Sequence, residues 1–240
     1  MIGTVSNAAA ILVGGIAGLV RSKPLAPATE SFWKVTLGAF TVFYGLRLTW
    51  ISLNGPPLQM LKQLLIVMLA MSLGKVTGWL LRLQKISNRL GRTAREQVEA
   101  AAAGKIHGAS VSFKICAALF CAAPMAFLGA LQEGTSSYFY PLLVKAAMDG
   151  LGAMGLARIL GWGVTLSALP VLVFQGTISL TCAAWVGPFL RHHNLLDAVH
   201  ATGGLLVFSV ALVVLNLKKV TLADYLPSLL YAPLISWLWR

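Results

Sequence analysis

The chain has 240 residues, of which 58% are hydrophobic and only 11% are charged. A typical soluble domain carries about 25% charged residues, so this composition excludes a cytosolic enzyme, a secreted disulfide scaffold and a disordered regulator. A net charge of +12 would suggest nucleic acid as the partner of a soluble protein, but basic residues also record orientation in a membrane. Composition therefore favours an integral membrane protein in a lipid bilayer, with no nucleic acid as partner.

Apolar segments follow one another along the chain. A spanning helix needs about 20 mostly apolar residues, and about eight segments qualify on that basis, with seven as the alternative count. They lie near residues 2–20, 33–53, 60–81, 109–131, 141–159, 163–186, 198–217 and 222–238. The last is short and carries Pro227 and Pro233, so a kinked or re-entrant segment is the alternative there. The sequence thus predicts an all-α, polytopic transmembrane helix bundle that forms a single integral membrane domain over residues 1–240.

The breaks between these segments contain turn-forming or polar residues. The run Asn-Gly-Pro-Pro at residues 54–57 and the run Gly-Trp-Gly at 161–163 predict turns. Residues 132–137 predict a polar break after the fourth segment. Basic Arg21 and Lys23 follow the first apolar segment instead of preceding it, so we expect a retained span there and no cleaved secretory signal.

Basic residues indicate which side of the membrane each loop occupies, because cytoplasmic flanks collect Lys and Arg. Placing the long loop 82–108 in the cytoplasm puts 14 of the 19 basic residues on the inner side. The N-terminus is then outside, and with eight spans the C-terminus is outside as well.

The cytoplasmic loop 82–108 predicts an amphipathic basic helix. Its apolar residues recur at spacings of three and four, and basic residues fill the opposite side. The apolar set is Leu83, Ile86, Leu90, Ala94 and Val98, and the basic set is Arg82, Lys85, Arg89, Arg92 and Arg95. The run of alanines that ends this segment precedes Gly104, a typical helix terminator. A helix of this kind suits the surface of a membrane, so anionic lipid is the predicted partner of the loop.

Asp149 is the acidic residue that lies nearest to mid-membrane. A charge at that depth costs several kcal/mol on insertion scales, so it needs a partner or a wet cavity. Lys145 lies one helical turn earlier on the same face. The pattern leaves two interpretations open, a structural Asp–Lys pair and an ion or proton site.

Proline-broken spans suggest further ligands around Asp149. The predicted hairpin of spans five and six brings Gln175 to a similar depth. Pro170 frees the carbonyl of Leu166, and freed carbonyls in broken spans often coordinate substrates or cations. Pro124 repeats this pattern in span four, ahead of Gln132 and Glu133. The predicted site for a small solute or ion comprises Asp149, Gln175, Lys145, Gln132, Glu133 and Pro170.

Other residue patterns point to packing. Gly14 and Gly18, like Ala146 and Gly150, are four residues apart, a spacing that lets helices approach closely and that would also suit a homo-oligomer. The three cysteines and four histidines do not form a metal-ligand pattern, and no catalytic motif is recognisable. We therefore expect no enzyme activity, no catalytic residue, no metal and no cofactor.

Several stretches together resemble the bacterial membrane family catalogued as domain of unknown function 554, the YqgA-like proteins. These stretches are Met1-Ile2-Gly3-Thr4-Val5-Ser6-Asn7 with Gly14-Gly15, Pro124-Met125, Gly129-Ala130-Leu131-Gln132-Glu133-Gly134, Met148-Asp149-Gly150, residues 167–176, Gly203-Gly204-Leu205, and Leu226-Pro227 with Ala232-Pro233. The resemblance covers nearly the whole chain, with loop 82–108 its least similar part. Residues 121–124 depart from the pattern, because some members have Cys-Val-Gly there. The resemblance implies a multi-pass protein of the bacterial cytoplasmic (inner) membrane and no established activity.

Two functions of different classes fit these features. The first is a transporter or channel for a small solute or ion, with a mid-membrane polar site around Asp149 and Gln175. The alternative is a non-transporting membrane scaffold or assembly factor that docks partners or anionic lipid through the basic loop. The sequence favours the transporter, because polar groups at mid-membrane cost stability and a scaffold has no need of them.

Overall fold

The computed structural model describes residues 1–21, 23–53, 55–103 and 108–239. Within these ranges all regular elements are helical, as the sequence predicts. The helices are α1 (Ile2–Val20), α2 (Pro27–Ser52), α3 (Pro57–Leu80), α4 (Leu83–Ala102), α5 (Ala109–Ala122), α6 (Pro124–Ser136), α7 (Tyr140–Leu160), α8 (Gly163–Leu166), α9 (Ala168–Thr181), a π-helical turn (Cys182–Val186), α10 (Gly187–His192), α11 (Leu196–Val214), α12 (Leu222–Tyr225) and α13 (Ser228–Leu238). The predicted turn residue Asn54 and the predicted helix terminator Gly104 lie outside the described residues.

Four helical segments in the described ranges are long and apolar enough to cross a membrane: α1, α3, the composite segment Gly163–His192, and α11. The pair α5 and α6 makes a fifth if it counts as one span bent by 59°. Helix α7 has 21 residues but includes Lys145, Asp149 and Arg158, which lower its hydropathy. The predicted eight spans and the predicted orientation therefore stay predictions.

Prolines begin helices here more often than they bend them. Pro124 is the first residue of α6, and the preceding Ala123 is extended at φ −64° and ψ 127°. Pro170 lies in the first turn of α9, after a break at Ser167. The first turn of a helix tolerates proline because its N–H groups have no intrahelical partner. Ser167 thus interrupts the predicted span 163–186 before Pro170, and the segment Gly163–His192 as a whole is long and apolar enough to cross a membrane.

The predicted polar break at residues 132–137 is wrong. Helix α6 continues through this stretch to Ser136, and the chain turns only at Ser137, where φ is 60°. The hydroxyls of Thr135 and Ser136 donate to the carbonyls of Leu131 and Gln132, at 2.8 and 2.9 Å. Such hydrogen bonds to the preceding turn let polar residues remain inside a helix.

Glycines set the closest helix contact, between α1 and α7. A methyl group on Gly14 would lie 2.0 Å from the carbonyl oxygen of Gly150, and one on Gly18 would lie 2.2 Å from that of Met154. The two backbones therefore touch, which confirms the predicted close packing of these small residues. This glycine face is occupied within the chain, so a second copy could not use it.

Contacts between distant segments define two ends of the bundle. At the first, which we name the Glu133 end, the end of α6 meets the start of α1, and Arg47 of α2 lies 5.5 Å from the ring of Tyr140 at the start of α7. At the second, the Leu160 end, Ser112 of α5 donates to the carbonyl of Leu160 at 2.5 Å. Helices α1 and α7 both begin at the Glu133 end and run toward the Leu160 end in the same direction, since Gly3, Gly14 and Gly18 face Leu142, Gly150 and Met154 in turn.

Candidate functional site

Lys145 and Asp149 form an ion pair inside the bundle. Lys145 Nζ donates to Asp149 Oδ2 at 2.5 Å, and the two residues are one turn apart on α7. Lys145 is 2% exposed and Asp149 is 8% exposed. At about 1.5 Å per residue, Asp149 lies roughly 13 Å along α7 from its start at the Glu133 end. A single charge buried this deeply is costly, and the partner offsets that cost.

Asn7 of α1 connects this pair to Gln175 of α9. Its Nδ2 atom donates to Gln175 Oε1 at 3.2 Å, and its side chain also lies near the Asp149 carboxylate. Both amide residues are completely buried. Asp149 and Gln175, which the sequence placed at similar depth, are therefore bridged by a third helix.

Glu133 binds the beginning of α1. Its carboxylate accepts hydrogen bonds from the backbone N–H of Gly3 at 2.5 Å, from the N–H of Thr4 at 3.2 Å and from the Thr4 hydroxyl at 2.5 Å. The hydroxyl of Ser179 on α9 lies 3.2 Å from the same carboxylate. An anion at a helix N-terminus is favoured by the free N–H groups and the helix dipole. Glu133 thus anchors α1 to α6 and α9.

These groups form one polar strip along the interior of the bundle. Thr4 and Asn7 are three apart on α1, and Gln175 and Ser179 are four apart on α9, so each pair shares a helix face. We call the strip the polar ladder. Its members are Thr4, Asn7, Glu133, Lys145, Asp149, Gln175 and Ser179. It leads from the Glu133 end to the buried ion pair.

A cavity borders α7 at residues close in sequence to Asp149. It has a volume of about 300 Å³ and lies between α2, α7 and α11. Glu30 and Lys34 line it on α2, and Met148 and Gly152 line it on α7. Met148 directly precedes Asp149 in the sequence, and Gly152 follows it by three residues. We call this cavity the vestibule. Lys145 and Asp149, which belong to the polar ladder, are not among its lining residues.

Aromatic residues cover the bundle at the Glu133 end. The rings of Tyr44 and Tyr140 stack with centroids 4.6 Å apart, and the hydroxyl of Tyr138 donates to the Tyr44 carbonyl at 2.8 Å. Tyr138 lies in the turn between α6 and α7, and burial raises the pKa of its hydroxyl to about 12. Tyr138 is therefore an uncharged donor at neutral pH.

Gln132 points away from the polar ladder. A methyl group on Gly203 of α11 would lie 2.7 Å from Gln132 Nε2, so this amide packs against α11. Gln132 is 1% exposed, and neither of its amide atoms has a hydrogen-bond partner among the described residues. His200, one turn before Gly203, is also buried, and its Nε2 atom is likewise unpartnered in this part of the chain. We call these two residues the Gln132–His200 region.

The structure thus divides the predicted site. It brings Asp149, Lys145, Gln175 and Glu133 into one ladder, but it turns Gln132 toward α11. Pro170 is half-buried in the first turn of α9, more than one turn from Gln175. The expectation of a single site containing Gln132 is corrected, because adjacent residues on a helix face directions about 100° apart.

Sequence reasoning missed three members of the ladder. Thr4 and Asn7 are polar residues three apart in an apolar helix, and Ser179 is four residues after Gln175. Both spacings place polar groups on one helix face, so the signal was present in the sequence. No cluster of three metal-ligating side chains occurs within the described ranges.

The sequence of the chain matches the family described as "Protein of unknown function (DUF554)" over residues 2–237. The chain belongs to the DUF554 family. Among curated relatives of this DUF554 protein, "Uncharacterized membrane protein YdfK" of Bacillus subtilis is 26% identical over 237 residues, which cover 98% of this chain and 95% of YdfK. "Uncharacterized protein YqgA" of Escherichia coli is 27% identical over 240 residues, which cover 100% of this chain and 97% of YqgA.

No solved structure matches this DUF554 chain. The family match and the description of YdfK agree with the apolar helices in assigning the protein to a membrane. They carry no statement of activity, so the function is argued from the geometry of the site.

Proposed function

We propose that this DUF554 protein is a multi-pass transporter of the bacterial inner membrane for a small cation, the proton included. The observation that carries this proposal is the buried Lys145–Asp149 pair of the polar ladder, which lies on α7 next in sequence to residues that line the vestibule. A scaffold gains little from burying two charges, whereas a transporter needs a charged group between two access routes.

The oxygen atoms around Asp149 suit a cation. Besides the carboxylate, Asn7 Oδ1 is buried and has no partner among the described residues, and Gln175 Oε1 lies nearby as the acceptor of Asn7. Oxygen ligands of this kind are preferred by hard cations. The ammonium of Lys145 holds the position that such a cation would take on Asp149. An entering cation would displace Lys145 from the carboxylate, and its departure would restore the pair.

The conformation is closed toward the Glu133 end. Asp149 is 8% exposed, and the aromatic residues Tyr44, Tyr138 and Tyr140 cover that end. Opening requires a displacement of α1 relative to α7. Their glycine contact has no interlocking side chains at Gly14 and Gly18, and packed helices of this kind can slide with small shifts.

Flux through purified protein in sealed vesicles tests the function. Proton flux and the flux of Na⁺ or K⁺ are followed with ion-sensitive dyes inside the vesicles. We expect wild-type protein to conduct at least one of these cations and Asp149→Asn to abolish that flux, because the exchange needs an anionic carboxylate. Asp197→Asn is the matched control, since Asp197 is an exposed carboxylate outside the ladder, and it should retain the flux.

The proposal fails if well-folded Asp149→Asn protein transports like the wild type, or if wild-type vesicles conduct none of these cations. Gel filtration in detergent establishes folding for each variant. The pair Lys145→Met with Asp149→Leu provides a second arm, because a buried ion pair replaced by apolar residues often folds well. It too should lack flux.

The scaffold remains the second candidate function, and the exposed basic face of α4 is the observation that favours it. Deleting the helix would be a poor test, because Ala94 is buried in the apolar core. Substituting its exposed arginines separates the two functions. A scaffold would lose its cellular phenotype, whereas a transporter would keep its flux.

A further inference from the structure

Helix α4 lies across the Leu160 end of the bundle. Its first turn is bound to α12, since the backbone N–H of Gln84 donates to Asp224 Oδ1 at 2.8 Å. Asp224 in turn packs against Gly78 near the end of α3. Farther along α4, Ala94 is buried in the apolar cluster that contains Leu160, and Val98 packs against that cluster. Both halves of α4 therefore contact the same end of the bundle.

The outward side of α4 has two distinct zones. Lys85, Arg89 and Arg92 line a shallow depression of about 470 Å³, together with Asn88 and Thr93. Beside it, Ile86 is 55% exposed and Leu90 is 46% exposed. In the part of the chain described, these three basic side chains form no ion pair with an acidic residue. The helix thus exposes unneutralised charge next to apolar side chains.

We propose that this depression binds the phosphate headgroups of anionic lipids in the surrounding bilayer. Arg89 and Arg92 supply guanidinium forks that match phosphate oxygens, and Lys85 adds a third positive charge. Ile86 and Leu90 would enter the acyl-chain boundary beside the headgroups, as expected for an amphipathic helix at an interface. The aromatic side chains that would stack on nucleic acid bases are absent from this helix.

The proposal is independent of cation transport, because the depression lies on the outward side of α4, away from the polar ladder. It commits to lipid headgroups as the ligand because charged and apolar groups occur side by side. A soluble anion would be recognised by the charge alone.

Native mass spectrometry of the detergent-purified protein tests this assignment by titration with phosphatidylglycerol or phosphatidylcholine. We expect phosphatidylglycerol to bind more tightly. Arg89→Gln with Arg92→Gln should weaken its binding roughly 30-fold, equivalent to about 2 kcal/mol at about 1 kcal/mol for each basic residue near the surface. Arg89→Lys with Arg92→Lys should retain most of the affinity.

A matched control removes the same charge from the loop between α11 and α12. Lys218→Gln with Lys219→Gln also removes two exposed basic residues, but outside α4, and it should bind phosphatidylglycerol like the wild type. Ile86→Ser with Leu90→Ser should weaken lipid binding and leave any binding of inorganic phosphate unchanged.

Three results would overturn the assignment. The first is equal affinity for the two lipids, and the second is an equal loss of phosphatidylglycerol affinity in the α4 arginine variant and the loop control. The third is displacement of phosphatidylglycerol by inorganic phosphate or a short RNA at lower concentrations than by competing anionic lipid. Because the substituted arginines are exposed, the variants should fold, and an unchanged melting temperature checks this.

Discussion

Two buried polar regions lie on either side of α6, and they differ in how their polar atoms are satisfied. In the polar ladder, Glu133 and the Lys145–Asp149 pair have charged or hydrogen-bonding partners, and the two amides Asn7 and Gln175 keep one unpartnered atom each among the described residues. In the Gln132–His200 region, three buried polar atoms have no partner among the described residues. A buried polar atom without a partner costs about 1–3 kcal/mol.

This difference separates two uses of polarity in a membrane bundle. The members of the ladder come from four different helices, α1, α6, α7 and α9, and its charged groups are paired or hydrogen-bonded. In the Gln132–His200 region, by contrast, the three unpartnered atoms contribute no hydrogen bond among the described residues. This region adjoins an apolar cluster that contains Leu128, Val199 and Leu206. Its unpartnered atoms therefore lower the stability of the folded protein.

The largest effect should come from breaking the buried ion pair on one side only. Asp149→Leu leaves Lys145 buried without its carboxylate, so we expect the free energy of unfolding in detergent to fall by about 3–5 kcal/mol. Adding Lys145→Met removes the unpaired charge and should restore most of that loss. If the single and the double variant have the same melting temperature, the ion pair makes no electrostatic contribution to the stability of the folded protein.

A smaller loss should follow from separating the helices that bring the ladder together. A methyl group from Gly14→Ala would meet the Gly150 carbonyl oxygen at 2.0 Å. The backbone cannot yield cheaply there, so we expect a loss of about 3 kcal/mol, the upper part of the overpacking range. Gly155→Ala is the control on α7, where nothing lies within 4 Å of the added methyl. Thermal melting of both variants measures the difference, and equal melting temperatures would contradict the close α1–α7 contact.

The smallest effects should differ in sign between the two regions. Gln175→Leu removes the acceptor of Asn7 and should destabilise the protein by about 1 kcal/mol. Gln132→Leu replaces an unpartnered amide by an apolar group of similar size and should be neutral or stabilising by about 1 kcal/mol. Chemical denaturation in detergent measures both changes. A larger loss for Gln132→Leu than for Gln175→Leu would mean that Gln132 has an essential partner.

Local spacing was enough to predict much of the bundle. The i,i+4 spacing of Lys145 and Asp149 indicated a shared helix face, and the structure places the two in contact. The glycines four apart on α1 indicated close packing, which α7 provides. Over residues 83–98, apolar residues at spacings of three and four, with basic residues on the opposite side, predicted the helix α4. Each of these inferences needs only the geometry of a single helix.

The remaining features depend on which helices become neighbours. Asn7 bridges Asp149 and Gln175 because α1 packs between α7 and α9, and no local pattern specifies that arrangement. The polar residues 132–137 suggested a break after the helix, yet α6 buries Glu133 against the start of α1 and continues to Ser136. Tertiary contacts here override the local preference of polar residues for a loop.

Cation-dependent stabilisation of the purified protein tests the central claim most directly, that Asp149 and its neighbours bind a transported cation. A cation that binds only the folded protein raises its stability with the logarithm of its concentration above the dissociation constant. Melting is followed at increasing Na⁺, Li⁺ or K⁺, with choline keeping the ionic strength constant, and pH is varied separately for protons. For a metal cation, we expect a saturable rise in melting temperature in the wild type and in Asp197→Asn, but not in Asp149→Asn. If the proton is the cation, we expect the wild type and Asp197→Asn to show a pH-dependent shift in melting temperature that Asp149→Asn lacks. An identical response of all three proteins would contradict this claim.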